Sequence, residues 1–286
     1  MLCEPWSTDR FELGEGLRRQ GRKLLMVDIL TGRLLSLDPL APGPAEVITT
    51  LGIPLGAVAP VLDRPGVHIA AAGTGVALLD GSGEPEWLAR PEDDAATPTR
   101  MNDGCCDSQG RFWAGSMAYD GTPGAGSVYR TDPDGRVTRV LEGYTVPNGP
   151  AFTPDGARMY LADSAQGRID TYEVSPEGEP VARTVFARVD EGNPDGMQVD
   201  AEGHLWVAVW GAGRVHRYRP DGTLERVVHL PAAQPTSVCV VDDPEPRLFV
   251  TSAMIGLDRA GPGDGALFSV PVDVPAPGVR PFGGKP

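Results

Sequence analysis

The stretch Asn193–Val215, NPDGMQVDAEGHLWVAVWGAGRV, contains a short apolar run, HLWVAVW, preceded by the turn residue Gly203 and followed by a glycine-bounded second turn at GAGR. Runs of four to eight residues rich in β-branched and aromatic side chains, bounded by Gly, Pro or Asp, read as strands. The same grammar recurs in KLLMVDI, GVHIAAAG, RFWAGSMA, RMYLADS and RLFVTSA. The turn residues before these runs are Gly21, Gly66, Gly110, Gly156, Gly203 and about Pro246, at intervals of 45, 44, 46, 47 and 43. A second strand follows each first run, as in GRLLSLDP, GRIDTYEV and GRVHRYRP, and PDG at 133–135 and 220–222 marks a further turn of the same meander. Six units of that length with several short strands each predict an all-β, six-bladed β-propeller of four-stranded blades around a central channel. A β-sandwich with evenly spaced turns is the competing architecture. No amphipathic helix of three turns is expected.

The expected organisation is one propeller domain over 1–286, with two segments outside the repeat. Residues 80–99, DGSGEPEWLARPEDDAATPT, read as an acidic solvated loop, with a lid as the alternative, and 274–286 as a tail that either closes the ring or frays. The composition narrows function by exclusion. A formal charge of −14 and a pI near 4.7 argue against nucleic acid and anionic membranes, whose recognition needs clustered Lys and Arg. Four cysteines without CxxC spacing, two of them the adjacent Cys105 and Cys106, read as reduced thiols. No signal-like N-terminus and no apolar run of 18 residues are found, so a cytoplasmic protein is expected, as a monomer or small homo-oligomer.

Asp195 sits eight residues before Gly203, and Asn148 and Asn102 sit eight before Gly156 and Gly110; Glu15 precedes Gly21 by six. Taken alone, Asp195-Gly196 and Asn148-Gly149 are ordinary turn pairs. Turn propensity does not explain their common phase in different repeats. Equivalent lead-in positions of a propeller converge on the channel mouth, where two carboxylates and two carboxamides suit a hard divalent cation: Ca²⁺ first, with Zn²⁺, Mn²⁺ or Mg²⁺ as alternatives. His68, His204, His216 and His229 share no such phase and read as surface or packing residues, and Ser116 and Ser164 lack the context of a nucleophile elbow.

The segments TRMNDGCCDSQGRFWAGSM (99–117), VPNGPAFTPDGARMYLADS (146–164) and NPDGMQVDAEGHLWVAVWGAGRV, with LGEG at 13–16 and PTSVCVVDDPEPRLFVTSAMIGLD at 235–258, resemble the SMP-30/gluconolactonase/regucalcin-like family. The resemblance implies one divalent metal held by Glu15, Asn148 and Asp195. Arg100 and Asn102 match the family's substrate-contacting Arg and Asn, and Asp120 stands about where some members carry a substrate-facing acid. Asp103 reads either as a residue orienting Asn102 or Arg100 or as a plain turn former. The implied activity is opening of sugar lactones to aldonic acids by water activated at the metal, with Asp195 as general base. Alternatives are another metal-dependent ester or phosphotriester hydrolase, or a non-enzymatic calcium-binding propeller. The chain departs from the usual pattern twice: Glu15 is followed by Gly16-Leu17-Arg18-Arg19 instead of Pro and Trp, and Cys105 replaces a common Lys. If that Lys touches substrate in relatives, the preferred substrate here differs.

Overall fold

Alternation along each strand decides where its side chains go. In Leu205–Trp210, Leu205 and Val207 pack into an apolar cluster with Tyr160 and Ala162, while Trp206 and Ala208 pack into another with Val238 and Val250. Successive side chains of a strand point to opposite faces of its sheet. Both faces are covered here by a neighbouring sheet, which is why the run is apolar throughout instead of alternating with polar residues.

The computed structural model, which describes residues 3–283, contains six four-stranded antiparallel sheets. Blade 1 comprises Gly14–Gln20, Lys23–Asp28, Arg33–Leu37 and Glu46–Thr50, and blade 2 Leu55–Pro60, His68–Ala72, Gly75–Leu79 and Glu86–Ala89. Blade 3 comprises Thr99–Cys106, Phe112–Ala118, Gly126–Thr131 and Val137–Tyr144; blade 4 runs from Pro147–Phe152 to Pro180–Arg188, and blade 5 from Asn193–Val199 to Leu224–His229. Blade 6 has three strands from the end of the chain, Pro235–Asp242, Pro246–Ser252 and Phe268–Pro271, and takes its outer strand, Glu4–Pro5, from the beginning. The first strands of adjacent blades touch around the ring, and the six apolar clusters lie between blades. This is the six-bladed propeller that the period predicts. Among the described residues the only helical turn is Ser164–Gln166, and no helix is long and apolar enough to cross a membrane.

Two segmental expectations change. Residues 80–99 are not simply a loop, because Glu86–Ala89 forms the fourth strand of blade 2, with Trp87 against one interblade cluster and Leu88 against another. Glu92 is buried and accepts hydrogen bonds from Ser116 Oγ and Tyr129 OH (2.8 Å for the latter). The tail neither closes the ring, which the N-terminal strand does, nor frays over its described part. Pro275 O and Pro277 O accept from Ala201 N (2.9 Å) and Gln198 Nε2 (3.3 Å). Phe282 exchanges backbone hydrogen bonds with Pro60 and Leu62, and Gly283 N donates to Gly110 O. Residues 277–280 thereby cover one mouth of the channel, over Leu17, Arg18, Cys105 and Cys239. Residues 284–286 of the tail lie outside the described residues.

Candidate functional site

Every first strand carries a register irregularity near its start: Glu15/Arg18, Leu55/Ala57, Met101/Gly104, Asn148/Ala151, Pro194/Met197 and Pro235/Val238. A bulge re-aims the side chain beside it. Glu15, Asn102, Asn148 and Asp195 stand at these bulges, all buried, and all four line one cavity of about 610 Å³ at the uncovered mouth. The structure also explains why four blades contribute and two do not. At the matching place in blade 2 a Cβ on Gly56 would collide with the Asn102 carbonyl, and in blade 6 the Thr236 hydroxyl is bonded to Gly14 O and lies 2.8 Å from Thr251 Oγ1.

A hydrogen-bond chain runs through the polar side of the cavity. Arg100 Nη1 donates to Asn102 Oδ1 (2.7 Å), Asn102 Nδ2 to Asn148 Oδ1 (2.9 Å), Asn148 Nδ2 to Ser164 Oγ (2.8 Å), and Ser164 Oγ to Pro194 O (2.6 Å). Because the Ser164 hydroxyl spends its proton on Pro194 O, it must accept from Asn148, which fixes the carboxamide orientation. Among the described residues Asn148 Oδ1 accepts from Asn102 alone, which leaves this cavity-lining residue one unused lone pair. Asn102 also donates to Pro147 O (3.0 Å), so its amide is consumed within the protein and acts chiefly to hold Arg100 and Asn148 in place.

The two carboxylates are placed differently. Glu15 accepts one backbone N–H, from Gly16 (3.0 Å), and Asp195 one from Gly196; Asp195 also meets Glu15 itself. Burial, then the nearby Asp103 charge, pushes the Glu15 carboxyl up to about 8. Burial and then Glu15 hold Asp195 well above the usual carboxylate range. The charges of Arg18 and then Arg100 oppose that rise at Glu15, and Arg100, which lines the cavity, is itself lowered by burial. Two under-donated, mutually repelling carboxylates facing a carboxamide oxygen form a donor set that fits a hard divalent cation, which would remove both the repulsion and the desolvation penalty. Among the described residues no three His, Cys, Asp or Glu side chains gather in metal-binding fashion, consistent with a set completed by amide oxygen.

Three expected assignments move. Asp103 contacts neither Asn102 nor Arg100: it accepts from Gly104 N (2.7 Å), Gly149 N (3.1 Å) and Arg18 Nη2 (3.3 Å), one residue further along the bulge and turned away from the cavity. Asp120 is outside the cavity, where its carboxylate accepts from Thr122 N (2.9 Å) and Thr122 Oγ1 (2.7 Å), an ordinary turn; Tyr119 lines the mouth instead. Cys105 faces the tail-covered mouth and donates to Pro150 O (3.0 Å), so it bears on nothing in the cavity. Tyr119, Asn193 and Trp210 line the site without having been singled out. Asn193 stands two residues before Asp195; Trp210 ends a second strand and Tyr119 follows one, so neither shares the lead-in phase of Asp195, Asn148 and Asn102. None of the four histidines lines the cavity.

Residues 13–254 match the family model described as the SMP-30/gluconolactonase/LRE-like region. The L-arabinolactonase of Azospirillum brasilense is 39% identical over 201 residues, covering 68% of this chain and 66% of that one. The pentonolactonase of Haloferax volcanii is 35% identical over 286 residues, covering 94% of each. Among solved structures, regucalcin of Agrobacterium tumefaciens, described as a calcium-binding protein, superposes with a TM-score of 0.90 at 28% identity, covering 99% of this chain and 98% of that one.

Proposed function

Because this chain belongs to the SMP-30/gluconolactonase/LRE-like family, we propose that it is a divalent-cation-dependent lactonase that opens sugar lactones to aldonic acids. The observation that carries the reading is the pair Glu15 and Asp195, buried at the floor of the cavity with a single backbone donor each and with Arg100 beside them. Glu15, Asn148 and Asp195 would hold the cation; Ca²⁺ suits the all-oxygen set, and Zn²⁺, Mn²⁺ and Mg²⁺ are its competitors. Such an ion supplies Lewis acidity toward a lactone carbonyl and toward water. Asp195, facing the cavity, takes the proton of the attacking water as general base, a role worth typically about 10²–10⁴-fold. Arg100, with Nη1 tied to Asn102 and Met101 O, presents its remaining N–H groups to the oxygen on which charge develops or to a ring hydroxyl. The chain from Arg100 to Pro194 O keeps these groups from rearranging as substrate enters.

The test is hydrolysis of an aldonolactone panel, followed by acid release, with Ca²⁺, Mn²⁺, Zn²⁺ or chelator present. Turnover that chelator abolishes and one of the cations restores is expected; no turnover under any cation, with cation binding intact, sinks the reading. That second outcome would favour a non-catalytic calcium-binding propeller, a reading motivated by the description of the Agrobacterium relative.

A further inference from the structure

The cavity is not equally polar around its rim. Blades 3 to 5 supply four polar side chains outside the carboxylate and carboxamide set, Arg100, Tyr119, Ser164 and Asn193, set among Met117, Val146 and Ala165. Among the described residues, the side chains of Tyr119 and Asn193 make no hydrogen bond to the protein, so they are free to bind a ligand. The opposite arc, from blade 5 through blade 6 to blade 1, presents Trp210, Ile255 and Leu30, all partly exposed. These three rest on one continuous apolar cluster that includes Leu13 and Ile29. Besides Glu15 of the proposed cation site, the arc has one polar side chain, Gln234, and its Nε2 is spent on Ile255 O (2.9 Å) and Ala253 O (3.3 Å).

A fully hydroxylated sugar lactone would place hydroxyls against that apolar arc, where nothing replaces their water hydrogen bonds; such burial is costly. Resting on the lactonase reading above, we propose that the preferred substrates are deoxyaldonolactones, in which the exocyclic end away from the carbonyl is a methyl group. The carbonyl and ring hydroxyls lie toward Arg100, Asn193 and Tyr119, and the hydroxyl-free end packs on Trp210, Ile255 and Leu30.

Steady-state kinetics on a matched pair decide the matter: a 6-deoxyaldonolactone and its 6-hydroxy counterpart of the same configuration, with the activating cation in excess. The wild-type protein is expected to favour the deoxy lactone in kcat/KM by about ten- to a hundredfold, the usual range for a hydroxyl misplaced in an apolar pocket. Ile255→Asn and, separately, Leu30→Gln are expected to narrow that ratio by at least about threefold, chiefly through the hydroxylated lactone. Equal or better turnover of the 6-hydroxy lactone by the wild type overturns this inference and leaves the lactonase reading standing. A deoxy preference that neither variant moves overturns the role of the apolar arc. If neither lactone is hydrolysed with any cation, the lactonase reading fails and this inference fails with it.

Discussion

The carboxylates at the channel axis and those at the blade edges are equally buried and are treated oppositely by the fold. Asp200, fully buried, accepts from Glu202 N, His204 N (both 3.0 Å), Trp206 Nε1 (3.0 Å) and Arg217 Nε (2.8 Å). Asp107 repeats the arrangement two blades away with Gln109 N, Arg111 N, Arg111 Nε and Trp113 Nε1. Asp28 is held by Leu13 N, Glu12 N and Arg33. Glu15 and Asp195, by contrast, have one backbone donor each and one another. A fold able to saturate a buried acid with three or four donors leaves two unsaturated at one point. Edge acids staple a turn to its strand; axis acids are a binding site whose partner comes from outside the chain.

Removing an acid from each region should therefore give opposite results. Asp195→Asn is expected to lower kcat by about 10²–10⁴-fold, measured with saturating cation. At the same time, chelator-treated protein should melt at a temperature no lower than wild type, because a repelling charge is gone. A lower melting temperature with near-normal kcat would reverse the assignment. Asp200→Ala is expected to cost about 2–4 kcal/mol in denaturant melts, since it leaves the Trp206 N–H and Arg217 Nε without an acceptor while Arg217 keeps Glu202 and Glu225. Its kcat/KM per folded molecule should be unchanged, because nothing in its surroundings reaches the cavity. A loss below about 1 kcal/mol would show that the edge acids are not staples.

The cation sharpens the comparison further. A ligand that binds only the folded state at a hundred times its Kd stabilises by about 2.7 kcal/mol. Wild-type protein is expected to show a rise of that order in calorimetry when Ca²⁺ is added after chelation, and Glu15→Gln or Asn148→Ala to lose most of it. Asp200→Ala should keep it, because the edge acids bind no ion. An undiminished rise in Glu15→Gln would remove Glu15 from the cation site.

Much of this arrangement was legible in the sequence because propellers convert spacing into position. Asp195, Asn148 and Asn102 lie in one phase of a repeat of about 45 residues and Glu15 two residues from it, and the fold brings all four to one mouth. Direction was less legible than position. Asp103 is adjacent to Asn102 yet points to Arg18 and the Gly149 amide, because a bulge makes the orientation of neighbours depend on backbone geometry that no spacing encodes. Asp120 resembles a site residue by its place in the chain, but a local turn with Thr122 captures its carboxylate before it can reach inward. The silent blades were partly readable: Pro235-Thr236 repeats the Pro147-Asn148 and Pro194-Asp195 pairs. What closes the ring was not readable, since Glu4-Pro5 contributes two residues to blade 6 and carries no strand signal.

The smallest expected effect lies in blade 5, at a histidine that the fold buries away from the cavity. His216 is nearly enclosed, its Nδ1 2.8 Å from the Tyr218 hydroxyl. Burial, and then the charges of Arg214 and His229, lower its imidazole to about 4 from 6.5. Tyr218, pushed up to about 12 mainly by burial, keeps its proton and donates it to the neutral ring. A base whose folded value is depressed contributes stability that is fully present above pH 6.5 and is lost as pH falls toward 4, because the unfolded chain takes up the proton first. Allowing for partial solvent screening, the loss between pH 7 and 5 is on the order of 1 kcal/mol. His216→Gln removes the titration, so its melting temperature should fall less than that of wild type over this interval, with the cation-induced rise at pH 7 unchanged. An acid slope identical in the two proteins would move the sensitive group elsewhere. A lost cation response would mean that blade 5 couples its edge to the axis, and that the two regions contrasted here are not independent.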